Sequence, residues 1–128
     1  MAYPANLRYT REHEWIRVEG DTAAVGITDH AQHALGDIVY LELPKVGDRF
    51  EAMQQLGTVE SVKAVSEIFS PIGCEVVDVN AELTGHPETL NKDPHGEGWL
   101  VKVRLANPAE VDQLMTAEQY EAYIAEEQ

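Results

Sequence analysis

Lys63 is the side chain in this sequence best placed to do chemistry. It lies in the run Gly57-Thr58-Val59-Glu60-Ser61-Val62-Lys63-Ala64-Val65-Ser66-Glu67-Ile68-Phe69-Ser70-Pro71. Val59, Val62, Val65, Ile68 and Phe69 supply the β-branched and aromatic content that strands favour, so the run reads as strand, two-residue break, strand. A reversal within Val62-Lys63-Ala64-Val65 puts Lys63 at a hairpin tip, its amine exposed on a rigid stalk with Glu60 and Glu67 nearby. That is the geometry of a lysine that another enzyme can find and acylate. An ordinary solvated turn lysine would look the same locally, so the motif needs context.

The other reactive side chains form no catalytic constellation. The glycines stand singly at turns, and no phosphate-cradling loop is present. His13, His30, His33, His86 and His95 are scattered; His30 and His33 have the i, i+3 spacing of a ligand pair, with no evident third ligand, so no metal is expected. Cys74, the single cysteine, reads as a structural thiol and excludes an internal disulfide, which fits a reducing compartment. The chain is expected to be a non-enzymatic component.

Short strands separated by Gly, Pro and Asp must position Lys63. Leu7 to Val18 reads as irregular chain then strand; Glu19-Gly20-Asp21 is a turn and Thr22 to Ile27 the returning strand. Thr28 is an N-cap, and Gly36 stops a short helix. Asp37 to Leu43 is a strand ended by Pro44, and Val46-Gly47-Asp48 a turn; Phe50 to Leu56 is less regular. Glu75 to Val79 and Trp99 to Leu105 are further strands, with a helical turn at Thr84 to Asn91 started by Pro87. Asn107 with Glu110, and Thr116 with Gln119, are capping-box pairs. They predict a C-terminal helical segment at about 107–126, its Val111, Leu114, Met115, Tyr120, Tyr123 and Ile124 packed on the strands. The pattern is mainly β: a small antiparallel sandwich or flattened barrel with peripheral helices.

At 128 residues and 44% hydrophobic content, one domain spanning 1–128 is expected, and a monomer. Nine basic against 23 acidic residues give a net charge of −14, which argues against nucleic acid or an anionic membrane as partner. There is no long apolar run and no secretory or transit-like start, so the cytoplasm is the simplest location. The acidity either keeps the chain soluble or steers it toward basic rims on partner enzymes.

Context for Lys63 comes from a resemblance. Glu60-Ser61-Val62-Lys63-Ala64 followed by Ser70-Pro71 resembles the lipoyl-attachment segment of the H proteins of the glycine cleavage system. Tyr9 to Trp15, Gly26 to Gln32, Leu35 to Val39, Leu43 to Asp48, Glu75 to Asn80 and Asn91 to Trp99 are similar to the family's other blocks, in order, over nearly the whole chain.

The resemblance implies a lipoyl/biotinyl-type hybrid barrel-sandwich of two antiparallel sheets with short peripheral helices and a C-terminal helix. It implies lipoate in amide linkage on Lys63, put there by a lipoate-attaching enzyme. The arm would collect the aminomethyl group of glycine from the pyridoxal-phosphate-dependent decarboxylase (P protein). It would present that group to the tetrahydrofolate-dependent aminomethyltransferase (T protein), then be reoxidised by dihydrolipoamide dehydrogenase (L protein). It points to Glu14 as part of a surface cleft that receives the loaded arm, with a surface acid beside a core Trp15 as the alternative. Glu67 stands where the family often has a shorter acid, and Cys74 where it normally has a glycine before the Glu-Val-Val strand. A left-handed backbone at Cys74 would cost about 1 kcal/mol.

Rival readings remain. A biotin carrier flanks its lysine with methionines, whereas Val62 and Ala64 stand here. An H-like relay that hands lipoyl or octanoyl groups to other carriers, and a scaffold whose Lys63 is never modified, fit the same motif.

Overall fold

Two antiparallel sheets enclose the core. The computed structural model describes residues 3–127. β1 (Arg8–Tyr9), β2 (Glu14–Glu19) and β3 (Thr22–Ile27) lie next to β9 (Val101–Leu105), β8 (Cys74–Val79) and β5 (Arg49–Phe50) in one sheet, ordered β1-β2-β3-β9-β8-β5. The second sheet is β4 (Ile38–Glu42), β6 (Gln55–Ser61) and β7 (Val65–Phe69), ordered β4-β6-β7. Among the described residues every strand pairing is antiparallel. Strand alternation sends Ile16, Val25, Val76, Val101 and Val103 inward from the first sheet and Leu41, Val59 and Ile68 from the second. The two antiparallel sheets expected from the strand pattern, and the hybrid barrel-sandwich implied by the resemblance, are the architecture found.

A second apolar cluster sits outside the barrel. Tyr3, Leu7, Tyr9, Trp15, Ala117 and Tyr120 pack there, with the Tyr9 and Tyr120 rings stacked at 4.7 Å. Trp15 crosses Gly26, its register partner; a Cβ on Gly26 would stand 2.6 Å from the indole, so only glycine fits under the ring. The indole N–H is satisfied by the Pro94 carbonyl at 2.9 Å.

The helices are α1 (Asp29–Leu35), α2 (Ala81–Gly85), α3 (Thr89–Lys92) and α4 (Ala117–Glu127). α1 starts and stops as its sequence predicts: Thr28 Oγ1 accepts from Ala31 N, and Gly36 N donates to Gln32 O. The single helical turn expected near Thr84 to Asn91 is instead two helices, because Pro87 separates α2 from α3. The C-terminal segment is also divided. Asn107 caps a 3-10 helix at Pro108–Gln113 by accepting from Ala109 N, but Glu110 does not close a box with it; its carboxylate accepts from Gly73 N at 3.0 Å. Met115 then pairs with Tyr9 as an isolated bridge. Thr116 and Gln119 form the reciprocal box that opens α4, at 2.9 and 3.2 Å. No helix among the described residues is long and apolar enough to cross a membrane.

Candidate functional site: the lysine hairpin and its cleft

Lys63 stands at the apex between β6 and β7. The last paired residues are Glu60 and Val65, and Ser61 N donates to Ala64 O at 2.7 Å, leaving Val62 and Lys63 as the two apex residues. Ser61 shapes the loop. Its Oγ accepts from Ala64 N at 3.1 Å and Lys63 N at 3.3 Å, and donates to Ala64 O at 3.2 Å. The apex is also pinned from outside, by Val62 N donating to Asp37 O at 3.0 Å. Asn91 from α3 clamps the same segment, donating to Gly36 O at 2.8 Å and accepting from Ile38 N at 3.0 Å. Backbone bonds and two polar side chains thus fix the stalk, while the Lys63 side chain is exposed.

The lysine is rooted at the end of α1. A Cβ at Gly36 would lie 3.6 Å from Lys63 Cε, and Gly36 has φ 82° and ψ −153°, a conformation side chains disfavour. From there a cleft of about 390 Å³ opens between α1 and β7. Its walls are Ala31, Ala34 and Leu35 on one side and Val65 and Phe69 on the other. Glu12, His13 and Glu67 add the charged and polar groups. α1 approaches the lysine with its C-terminal end and β7 with its first residue, so the cleft leads away from the root for roughly 13 Å, four strand steps.

Glu14 is not on the surface. It is 1% exposed, although the resemblance implied a place in a surface cleft and the alternative was a surface acid. β2 buries its first three residues, and the Glu14 carboxylate reaches across to the end of β7. Oε1 accepts from the Thr10 hydroxyl at 2.6 Å, and Oε2 from Phe69 N at 3.2 Å. Burial pushes the carboxyl up to about 7, against the lowering by these two donors. Glu14 therefore ties Phe69, a cleft wall, to β2, whereas Glu12 and Glu67 line the cleft itself.

Several contributors carried little sequence signal. Ser61, two residues before the lysine, has the spacing of a serine turn. Thr10 bonds Glu14 only four residues on, whereas Asn91 acts over more than fifty residues, a distance that no local pattern encodes. His13 holds φ 71°, with Nδ1 2.8 Å from the Tyr120 hydroxyl, which is 2.7 Å from Thr28 Oγ1 at the start of α1. Tyr120 of α4 thereby links the cleft's imidazole to the helix forming its opposite wall.

The remaining sequence candidates have other roles. His30 lies against His13, ring centroids 4.6 Å apart, and His33 pairs with Asp29 at 3.4 Å. Among the described residues no group of three His, Cys, Asp or Glu is arranged to hold a metal. Cys74 begins β8 without positive φ, so the strain considered for it does not arise; neither does Gly73 take that conformation. The buried thiol lies 3.4 Å from Ser70 Oγ, and burial pushes its pKa up.

Comparison with known proteins places this geometry. The family model described as "Glycine cleavage H-protein" matches residues 7–127. A glycine cleavage system H protein of Acidobacterium capsulatum is 54% identical over 127 residues, covering 99% of this chain and 98% of the relative. One from Bacteroides fragilis is 52% identical over 124 residues, covering 97% and 98%. The crystal structure of a glycine cleavage system H protein from Mycobacterium marinum superimposes with a TM-score of 0.89 at 38% identity, covering 96% of this chain and 99% of that one.

Proposed function

The chain belongs to the glycine cleavage H-protein family, the lipoyl carriers of the glycine cleavage system, and from that premise we propose that Lys63 is the residue to which lipoate is attached. The observation that carries this reading is an exposed lysine at the apex of a pinned hairpin, rooted beside a cleft. The residues present suit such a group. Gly36, with φ 82°, turns the chain beside the lysine stem, and Leu35, Ala31, Val65 and Phe69 offer an apolar surface to an alkyl chain.

When attached, lipoate supplies redox and group-carrying chemistry between the enzymes of the system. The chain supplies attachment, reach and shelter. Ser61 and Asp37 hold the apex still, so motion is confined to the lysine side chain and what it bears. Glu12 and Glu67 offer carboxylates to a cationic group at the arm's end, in a cleft where apolar walls limit water. Glu14 acts one layer below, as a positioning residue that holds Phe69. The proposed partners are the glycine decarboxylase, the aminomethyltransferase, dihydrolipoamide dehydrogenase and a lipoate-attaching enzyme, met in the cytoplasm.

Intact mass with peptide mapping tests the site. Wild type incubated with a lipoate ligase, ATP and lipoate should gain one lipoyl group on Lys63, and Lys63→Arg should gain none. Lipoate on Lys45, Lys92 or Lys102 of the wild type would refute the assignment.

A further inference from the structure

Seven large apolar side chains are exposed among the described residues, and four of them lie at the lysine hairpin or on the strand beside it: Val62 and Val65 at the apex, Val39 and Tyr40 on β4. The other three, Val18, Val46 and Met53, lie on β2 and in two separate turns. The concentration has a structural cause. The β4–β6 register shifts between Ile38 and Tyr40, and this bulge leaves the consecutive residues Val39 and Tyr40 48% and 55% exposed. Regular alternation would have turned one of them inward. Tyr40, Glu60 and Val65 are direct register partners across β4, β6 and β7, so they form one row on the outer face of the sheet. The next row, Glu42, Thr58 and Glu67, adds two exposed carboxylates. The face is apolar beside the lysine and acidic around it.

Resting on the reading of Lys63 above, we propose that this face is the docking surface for the enzyme that acylates Lys63, with Tyr40 as its aromatic anchor and the carboxylates matched to a basic rim on that enzyme. Reach selects this occupant. An acylating enzyme must bring its activated acyl group to Nζ itself, one lysine side chain from the backbone, so its surface must close over the apex and the flanking rows. Enzymes that act on the far end of an attached arm need not touch the sheet. In the acylation step, neutral Nζ attacks the carbonyl carbon of an acyl-adenylate. The amide bond forms, the acyl C–O bond breaks, AMP leaves with the bonding pair, and the amine gives up a proton. Exposed aromatic anchors ringed by polar groups are where truncation costs most at interfaces. Tyr40 lies one strand away from the Glu-Ser-Val-Lys-Ala segment, so this surface is not part of the linear motif.

The test measures steady-state attachment by a lipoate ligase with ATP and lipoate, on wild type, Tyr40→Ala, the double variant Val39→Thr/Val65→Thr, and the control Val46→Thr. All four positions are exposed, so thermal unfolding should be unchanged. The expected result is a tenfold or greater rise in KM for Tyr40→Ala with kcat kept, a smaller rise for the double variant, and wild-type values for Val46→Thr. Fully lipoylated Tyr40→Ala should be oxidised by dihydrolipoamide dehydrogenase at the wild-type rate once reduced. Attachment to Tyr40→Ala with wild-type kcat/KM overturns the inference alone. So does a loss confined to the dehydrogenase step, which would give the face to a downstream enzyme. Absence of lipoate from wild-type Lys63 overturns the reading of the site beneath it.

Discussion

At the residue scale the instructive case is Glu14. The family resemblance pointed to a carboxylate near the cleft, but no local pattern could say which way it points. The answer depends on Thr10, four residues earlier, and on Phe69 N, supplied from another sheet. Lys63 was legible because its exposure follows from a strand–turn–strand pattern alone. The Glu14 environment has a measurable consequence. Its folded carboxyl lies near 7, above the ordinary value of 4.5, so the native state keeps a proton that the unfolded chain loses. Below the unfolded value both states are protonated and this group contributes nothing to the pH dependence. Between about 4.5 and 7 stability should fall as pH rises, by up to about 3 kcal/mol, and level off above. Denaturant melts of wild type and Glu14→Gln across pH 4.5–8 should show this component of the slope in the wild type and its loss in the variant. Equal slopes would mean that the Glu14 carboxyl titrates alike in both states.

At the scale of elements, what local chemistry encodes was readable: the α1 cap at Thr28, the stop at Gly36, the Thr116–Gln119 box and the hairpin. The misses share a cause. Glu110 leaves its own helix to satisfy Gly73 N, and β1 and β5 are two-residue strands that exist through their partners. The β4 bulge was likewise invisible until β6 fixed the register. Trp15 and Gly26 both stood out in the sequence blocks, but their dependence on each other needed the β2–β3 register. Gly26→Ala should therefore destabilise the fold by about 1–3 kcal/mol through overpacking, read as a lower denaturant midpoint with an unchanged m-value. An unchanged midpoint would mean that the indole yields at no cost. Ser61→Ala removes the hydroxyl that orders the apex, costing about 1 kcal/mol, and should slow lipoate attachment while leaving α1 and the core intact. Attachment at the wild-type rate would show that the backbone bonds suffice.

At the scale of the whole molecule, a carrier must be rigid where it presents its arm and recognisable to several enzymes. The pinned hairpin provides the first. The second draws on a net charge of −14 spread over the whole chain, with the Glu42, Glu60 and Glu67 face kept for the acylating enzyme. Association with partner enzymes should slow as ionic strength rises, since screening shortens from about 10 Å at 0.1 M to about 3 Å at 1 M. Flat association rates across that range would assign the acidity to solubility alone. Acylation of Lys63 removes one positive charge, taking −14 to −15 and making the loaded face more acidic. All these features converge on a single amine, so the most direct measurement is reconstitution with the glycine decarboxylase, the aminomethyltransferase, dihydrolipoamide dehydrogenase, tetrahydrofolate and NAD. Lipoylated wild type should support glycine-dependent NADH formation, and Lys63→Arg, folded and carried through the same lipoylation reaction, should support none. Turnover by Lys63→Arg at the wild-type rate would contradict the account.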